Sequence, residues 1–277
     1  MENSYARHRT FTDKAISAFN KIRYAFTEPG KLQLARLRWE SAYQDELNKN
    51  PLITLMMPTF KRGQLLVERT LPSILSQTYQ NFEVVIVGDN RLDNTAELVA
   101  NLKDPRIKFY HLPEYTKYPK DPKLKWFSGG APPRNYGLKL ARGLWIAELD
   151  DDDIFTPDHI ESLLRFAQNN NYEFVSAIYE AERYGKRILV DVKDERPRIG
   201  GIGTWLYRSY LRLFRYNVNC WRKAYNCPQE IDRQWRMHNT GVRIGFLDKV
   251  VTIILPLPGS QTVGLDALEI RTGRKLR

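Results

Sequence analysis

The sequence predicts an α/β protein, with a central, mostly parallel sheet flanked by helices and a smaller mixed region after it. Three observations predict this class. Four short apolar runs, LITLMM (52–57), FEVVIVGD (82–89), RIKFYHL (106–112) and LWIAEL (144–149), have the length and density of strands buried on both faces. Stretches with helical periodicity or capping signals separate them, the alternation that parallel sheets require. At 277 residues, 42% hydrophobic and 27% charged, the chain is long and apolar enough for one large or two small folded units.

Taken in order, residues 1–50 read as a polar helical extension. AISAFNKIRYAF and LQLARLRWESAYQDELNK form two helical stretches split by the breaker EPG at 28–30. The first strand runs into Pro58. LLVERTLPSILSQT follows as a helix with Leu71, Ile74 and Leu75 on one face. After the second strand, Asn94 and Glu97 have capping-box spacing. PPRNYGLKLARG (132–143) reads as a helix closed by Gly143 and leading into the fourth strand. Thr156 and Pro157 then open a helix as N-cap and first residue, with Ile160, Leu163, Leu164 and Ala167 as its core face. EFVSAIYEA and RILVDV read as a hairpin around YGK, and GGIG (200–203) as a flexible loop. In TWLYRSYLRLFRYNVNCWRKAY (204–225), helical spacing puts Leu206, Tyr210, Leu213 and Phe214 on one face and Arg208, Arg212 and Arg215 on another.

Composition narrows the function classes. No run of 18 apolar residues suggests a membrane span. The first residues lack the apolar core of a signal peptide, and two cysteines, Cys220 and Cys227, make neither a disulfide scaffold nor a zinc pair. The expected location is cytoplasmic, with contact at the inner face of a membrane left open by the basic 204–225 segment. A net charge of +11 suits an anionic partner: nucleic acid, a phosphate-bearing substrate or an acidic membrane surface.

The run Asp150, Asp151, Asp152, Asp153 is the most informative feature. Crowded carboxylates raise one another's pKa unless a cation neutralises them. All-oxygen ligation favours Mg2+ or Mn2+ over zinc, and magnesium is held by one or two carboxylates together with substrate phosphates. The alternative is a solvated acidic turn leading into a helix. The run follows a buried strand, at the rim where open α/β sheets bind ligands. Other strand ends reach the same rim: PTFKR (58–62), and Asp89, placed to accept from a base or ribose. Arg134 and Asn135 begin the helix after Gly129-Gly130 and face the same crevice.

Together, PTFKR, NFEVVIVGDNRLDNT, APPRNYGLKLARGLWIAELDDDDIFTP and a later acidic–arginine segment resemble, in that order, the family 2 glycosyltransferases. The resemblance covers about residues 51–255 and implies a GT-A fold. It divides the chain into a helical extension (1–50), a nucleotide-sugar-binding half (51–160), an acceptor-binding half (161–260) and a basic tail (261–277). It implies an inverting, metal-dependent transfer of a sugar from a nucleotide-sugar, UDP-linked, to a glycan or lipid-linked acceptor, with Mn2+ or Mg2+ as cofactor and no nucleic acid as partner. LDDDDIFTP is similar to the family's DxD segment, so Asp150 and Asp152 are the implied metal ligands, with Asp151 beside them on the donor. Pro58, Thr59, Phe60 and Arg62 are carried over to the nucleotide pocket, as are Asp89 and Arg134. The implied base is Glu230, or Asp232 if the register slips, in CPQEIDRQWRMHNTGVRIGFLD (227–248). Gln229 departs from the family's acidic pair. Arg236 binds phosphate or pairs with Asp232. Trp205 and Trp221 are candidate acceptor platforms.

Two other classes compete. A nucleotidyltransferase also needs an acidic metal site, but PTFKRGQ lacks the glycine-rich run that holds a triphosphate. A non-catalytic basic nucleic-acid-binding protein would give no reason for four aspartates at a strand end.

Overall fold

The computed structural model describes residues 10–45, 48–89, 93–114, 116–223, 225 and 227–275. The strands are β1 (Ile53–Thr59), β2 (Phe82–Gly88), β3 (Ile107–His111), β4 (Trp145–Glu148), β5 (Ile154–Phe155), β6 (Phe174–Arg183), β7 (Lys186–Val190), β8 (Trp205–Arg208) and β9 (Ile244–Ile254). All nine belong to one sheet, in the order β3-β2-β1-β4-β8-β6-β9-β5 with β7 on β6. β1, β2, β3 and β4 are mutually parallel, as are β6 and β9, while β8 runs antiparallel between β4 and β6. β1, β2 and β4 are buried almost throughout. That explains why they read as continuous apolar runs rather than alternating ones.

The helices are α1 (Phe11–Trp39), α2 (Gly63–Leu65), α3 (Leu71–Leu75), α4 (Thr95–Ala100), α5 (Pro122–Ser128), α6 (Ala131–Leu140), α7 (His159–Asn169), α8 (Gln229–Thr240) and α9 (Gly264–Thr272). A π turn over Leu66–Thr70 joins α2 to α3. α6 lies directly on β1: a Cβ on Gly137 would come within 2.6 Å of Met56 Cγ. Only glycine permits that approach, which holds the first turn of α6 at the sheet rim. α7 buries Ile160, Leu163, Leu164 and Ala167, the face its spacing predicts. It starts at His159 with Asp158 as N-cap, not at Thr156.

Several expectations need correction. Residues 11–39 form a single helix that runs through Pro29, anchored by a Thr10–Asp13 capping box. Asn94 is an N-cap without a side-chain hydrogen bond; Asp93 Oδ1 instead accepts from Thr95 N at 3.3 Å. The 204–225 segment is not an amphipathic helix. It is β8 followed by 3-10 turns at Ser209–Leu213 and Cys220–Arg222, with Leu206, Tyr210 and Phe214 all buried. Pairing of β8 with both β4 and β6 outweighs the helical spacing, and among the described residues no membrane-facing helix forms there. The β6–β7 hairpin is present, turned by Tyr184 (φ 51°) and Gly185 (φ 73°), a pair of left-handed residues that matches strand twist. GGIG is not the loose loop expected, because a Cβ on Gly200 would lie 2.2 Å from the Ala177 carbonyl oxygen. Within the stretch expected to be a basic tail, α9 buries Leu265 and Leu268 against Trp126. Among the described residues, no helix is long and apolar enough to cross a membrane.

Candidate active site

The carboxyl ends of β1, β2 and β4 form one rim. At β1, Thr59 is buried, and its carbonyl accepts from Asp89 N at 2.9 Å, which joins the two strand ends. Pro58 packs beneath Gly130, which takes a left-handed conformation (φ 78°) to lead into α6. Phe60 is half-exposed at the tip. The chain turns through Lys61 (φ 55°), and Arg62 reaches back to Asp151 at 2.7 Å and Asp152 at 2.9 Å. Asp89 accepts from Thr116 Oγ1 at 3.0 Å and Tyr118 Oη at 2.5 Å. Burial nonetheless holds its carboxyl above the ordinary range.

Behind the rim lies a buried ion network. Glu148, the one charged residue of β4, is fully buried and accepts from Tyr207, from Arg233 and, at 2.7 Å, from Tyr216 Oη. Arg134, on the first turn of α6, bridges Glu148 at 3.4 Å and Asp150. Arg233 comes from α8, is fully buried and also donates to the Phe214 carbonyl at 2.9 Å. The network therefore ties β4, β8, α6 and α8 together directly under the aspartates.

The aspartates differ from one another. Asp150 (34% side-chain exposure) and Asp152 (18%) reach the crevice, while Asp151 (6%) is closed over by Arg62. Asp153 is buried, with Gly203 packed against its carboxylate. Burial, and then the charges of Asp151 and Asp150, push the Asp152 carboxyl up to about 7. Burial and its three neighbours push Asp153 well above the usual carboxylate range, and Asp151 is raised as well. Arg62 and Arg69 supply opposing charge, but it does not balance the cluster. Among the described residues, no group of three or more His, Cys, Asp or Glu side chains is arranged as a ready-made metal cage. A carboxylate surplus open to the crevice at Asp150 and Asp152 nevertheless fits a hard divalent cation that completes its shell with substrate oxygens.

Within electrostatic reach of Asp150, Glu230 sits on the first turn of α8. Burial pushes its carboxyl up to about 7, and it senses the charges of Arg134 and Asp150. Gln229 beside it is buried and donates to the Gly129 carbonyl, which ties α8 to the loop before α6. Asp232 is placed differently. It is 1% exposed, accepts from Asn217 at 3.2 Å and pairs with Arg236 at 3.5 Å.

The structure thus brings Pro58, Thr59, Phe60, Arg62, Asp89, Arg134, Asp150, Asp151, Asp152 and Glu230 to one rim, and leaves four others outside it, Asp232 among them. Trp205 is a core residue, fully buried against Phe174 at 5.2 Å with its indole N–H on the Gly200 carbonyl, so it cannot stack on an acceptor. Trp221 is 4% exposed and packs with Leu124, Phe127 and Cys220. Arg236 is 5% exposed and held by Glu28 and the Arg215 carbonyl, which removes it from a phosphate-binding role. Sequence reasoning missed Glu148, Arg233, Tyr207 and Tyr216. The available signal was Glu148 itself, a carboxylate inside the buried run WIAEL, which requires a buried partner.

Comparison with known proteins gives a consistent picture. The sequence model of Glycosyl transferase family 2 matches residues 54–120 and 122–244. WfgD of Escherichia coli, named a UDP-Glc:alpha-D-GlcNAc-diphosphoundecaprenol beta-1,3-glucosyltransferase, is 33% identical over 129 residues, covering 47% of this chain and 46% of that protein. Residues 1–349 of TarS from S. aureus, solved with UDP-GlcNAc, align with a TM-score of 0.57 at 19% identity, covering 76% of this chain and 60% of that one. The mannosyltransferase PcManGT of Pyrobaculum calidifontis, solved with GDP-Man and Mn2+, aligns with a TM-score of 0.55 at 16% identity, covering 89% and 70%. The chain spans from 18% to 55% of the length of the curated relatives it matches.

Proposed function

Because the chain belongs to glycosyl transferase family 2, and so is a glycosyltransferase of GT-A type, we propose that it inverts the anomeric centre of a nucleotide-sugar in one metal-assisted displacement. The donor is a UDP-sugar and the acceptor a hydroxyl of a glycan or lipid-linked saccharide. Family membership favours this reading over a nucleotidyltransferase and over a non-catalytic protein. The observation that carries the proposal is that Glu230 lies within electrostatic reach of Arg134 and Asp150, beside aspartates short of positive charge.

Each residue then has a task. Asp89 accepts from the base or ribose, with Pro58, Thr59 and Phe60 along the same wall. Arg62, the more exposed of the two arginines, offers a cationic group to the diphosphate, and Arg134 holds Asp150 in place from below. Asp150 and Asp152 would hold Mn2+ or Mg2+, and the ion would supply positive charge beside the departing diphosphate. Glu230 takes the proton of the acceptor hydroxyl as that oxygen bonds to the anomeric carbon and the bond to the diphosphate breaks. A carboxyl near 7 is well matched to this work at neutral pH. Glu230 is preferred to Asp232 because the latter is committed to Asn217 and Arg236. The lipid-linked acceptor rests on WfgD, whose name specifies a diphosphoundecaprenol substrate, and a role in polysaccharide synthesis on WcaA of Escherichia coli, named a putative colanic acid biosynthesis glycosyl transferase. A cytoplasmic location at the inner face of a membrane follows from that acceptor.

Calorimetric titration of UDP with and without Mn2+, on the parent and on Asp152→Ala, tests the donor site. Metal-dependent binding that the substitution abolishes supports it. If UDP, GDP, dTDP and CDP all fail to bind with any divalent metal, the proposal falls.

A further inference from the structure

Helix α1 carries its polarity inside out. Its buried positions are Asp13, Ser17, Asn20, Glu28 and Leu32. Its outward positions include Phe11 (86% exposed), Phe19 (64%), Ile22 (60%), Phe26 (82%), Leu34 (68%) and Leu37 (79%). At about 100° per residue these six fall within roughly 140° of the helix circumference. The stripe runs along a helix of 29 residues, about 43 Å at the usual rise. Single exposed apolar residues are ordinary, but six bulky ones on one arc of a helix mark a contact surface.

Charge identifies the partner. The two acids of α1 are withdrawn from solvent: Asp13 binds Arg222 at 2.7 Å, and Glu28 binds Arg236. Lys14, Lys21, Arg23, Lys31 and Arg38 are exposed. The solvent side of α1 is therefore apolar, flanked by cations, and has no exposed acid. A second copy of the chain fits less well. A helix–helix seam through Phe19, Ile22 and Phe26 would continue to Pro29 and Gln33 before Leu37, so a helix breaker and an amide occupy its middle. Bulky apolar side chains with flanking lysine and arginine suit the headgroup boundary of an anionic bilayer.

We propose that α1 is a docking helix that lies in the plane of an anionic lipid surface. This surface is distinct from the 204–225 segment and does not depend on the reaction assigned above. Its placement has a consequence for the site. α1 grips α8 through Glu28–Arg236, and Arg36 donates to the Gly241 carbonyl at 2.7 Å just beyond the end of α8. α8 carries Glu230 in its first turn, so docking would hold that residue at a fixed height above the lipid.

The test is flotation of the full chain with phosphatidylcholine vesicles, with and without phosphatidylglycerol. The proposal expects binding to the anionic vesicles that weakens with salt. Combined Phe19→Ser, Ile22→Ser and Phe26→Ser should reduce it by at least about tenfold while leaving circular dichroism and melting unchanged. Should that variant misfold, an environment-sensitive dye at Phe26→Cys gives a second reading, since Cys220 and Cys227 are both buried. Its emission should shift to the blue with anionic vesicles, while the same dye at exposed Asn101→Cys should not respond. Absence of flotation, flotation undiminished in a folded triple variant, or equal responses from the two dyes would overturn the proposal. So would a dimer in light scattering that the triple substitution dissolves, because that would make a second copy the partner.

Discussion

Glu148 and the aspartates two to five residues after it carry the same charge at the end of the same strand, yet they meet opposite environments. Glu148 is buried with Arg233, Arg134, Tyr207 and Tyr216 around it. Asp152 and Asp153 are crowded by their own kind, and their carboxyls are pushed upward. A neutralised carboxylate is part of the scaffold. An under-neutralised one keeps affinity in reserve for a ligand, at some cost to stability. The contrast separates support from site within a span of six residues.

The sharpest way to break this contrast is to remove Glu148. Glu148→Ala strands the buried Arg233 guanidinium and should cost about 3–5 kcal/mol of unfolding free energy in urea titrations. Asp152→Ala relieves repulsion, so the same titration should show a loss below about 1 kcal/mol, or a gain. A large loss at Asp152 would mean that the aspartates are structural too.

Next in size is Glu230→Gln, expected to lower transfer by about a hundred- to ten-thousandfold with folding intact. In the parent, the pH profile should rise through about 7 as Glu230 loses its proton. A flat profile, or a full loss from Asp232→Asn instead, would move the base to Asp232.

A third test concerns acid stability. Burial depresses the His159 imidazole to about 4, below its unfolded value near 6.5. The unfolded chain therefore binds this proton first. Stability is intact above about 6.5, and about 3 kcal/mol is lost as pH falls toward 4. The aspartates act in the opposite sense, since protonation relieves them. His159→Leu should flatten the decline in Tm between these pH values; an unchanged slope would assign acid lability elsewhere.

The smallest effect is on ligand-linked stability. At about a hundred times its Kd, Mn2+ with UDP should stabilise the parent by about 2.7 kcal/mol. Asp152→Ala should abolish that gain in Tm, whereas an equal gain in the variant would detach metal binding from Asp152.

The sequence by itself determined the strands β1, β2 and β4, the hairpin and the core face of α7. Burial on both faces leaves unbroken apolar runs, and local turn chemistry marks where they end. It also determined the rim, since Asp89, Arg134 and Asp150–Asp153 lie beside strand ends that can be read directly. Only the tertiary structure decided the rest. β8 reads as helix because its spacing suits one, and strand pairing overrides that weak preference. Trp205 and Trp221 read as acceptor platforms and Arg236 as a phosphate ligand, but burial depends on what packs above them. Glu230 and Asp232 share the first turns of one helix, and neighbours distant in sequence send one to the crevice and the other to Arg236. The outward stripe of α1 was equally hidden. Periodicity shows that a helix has two faces, and only the charged partners Arg222 and Arg236, about 200 residues away in sequence, decide that its polar face turns inward.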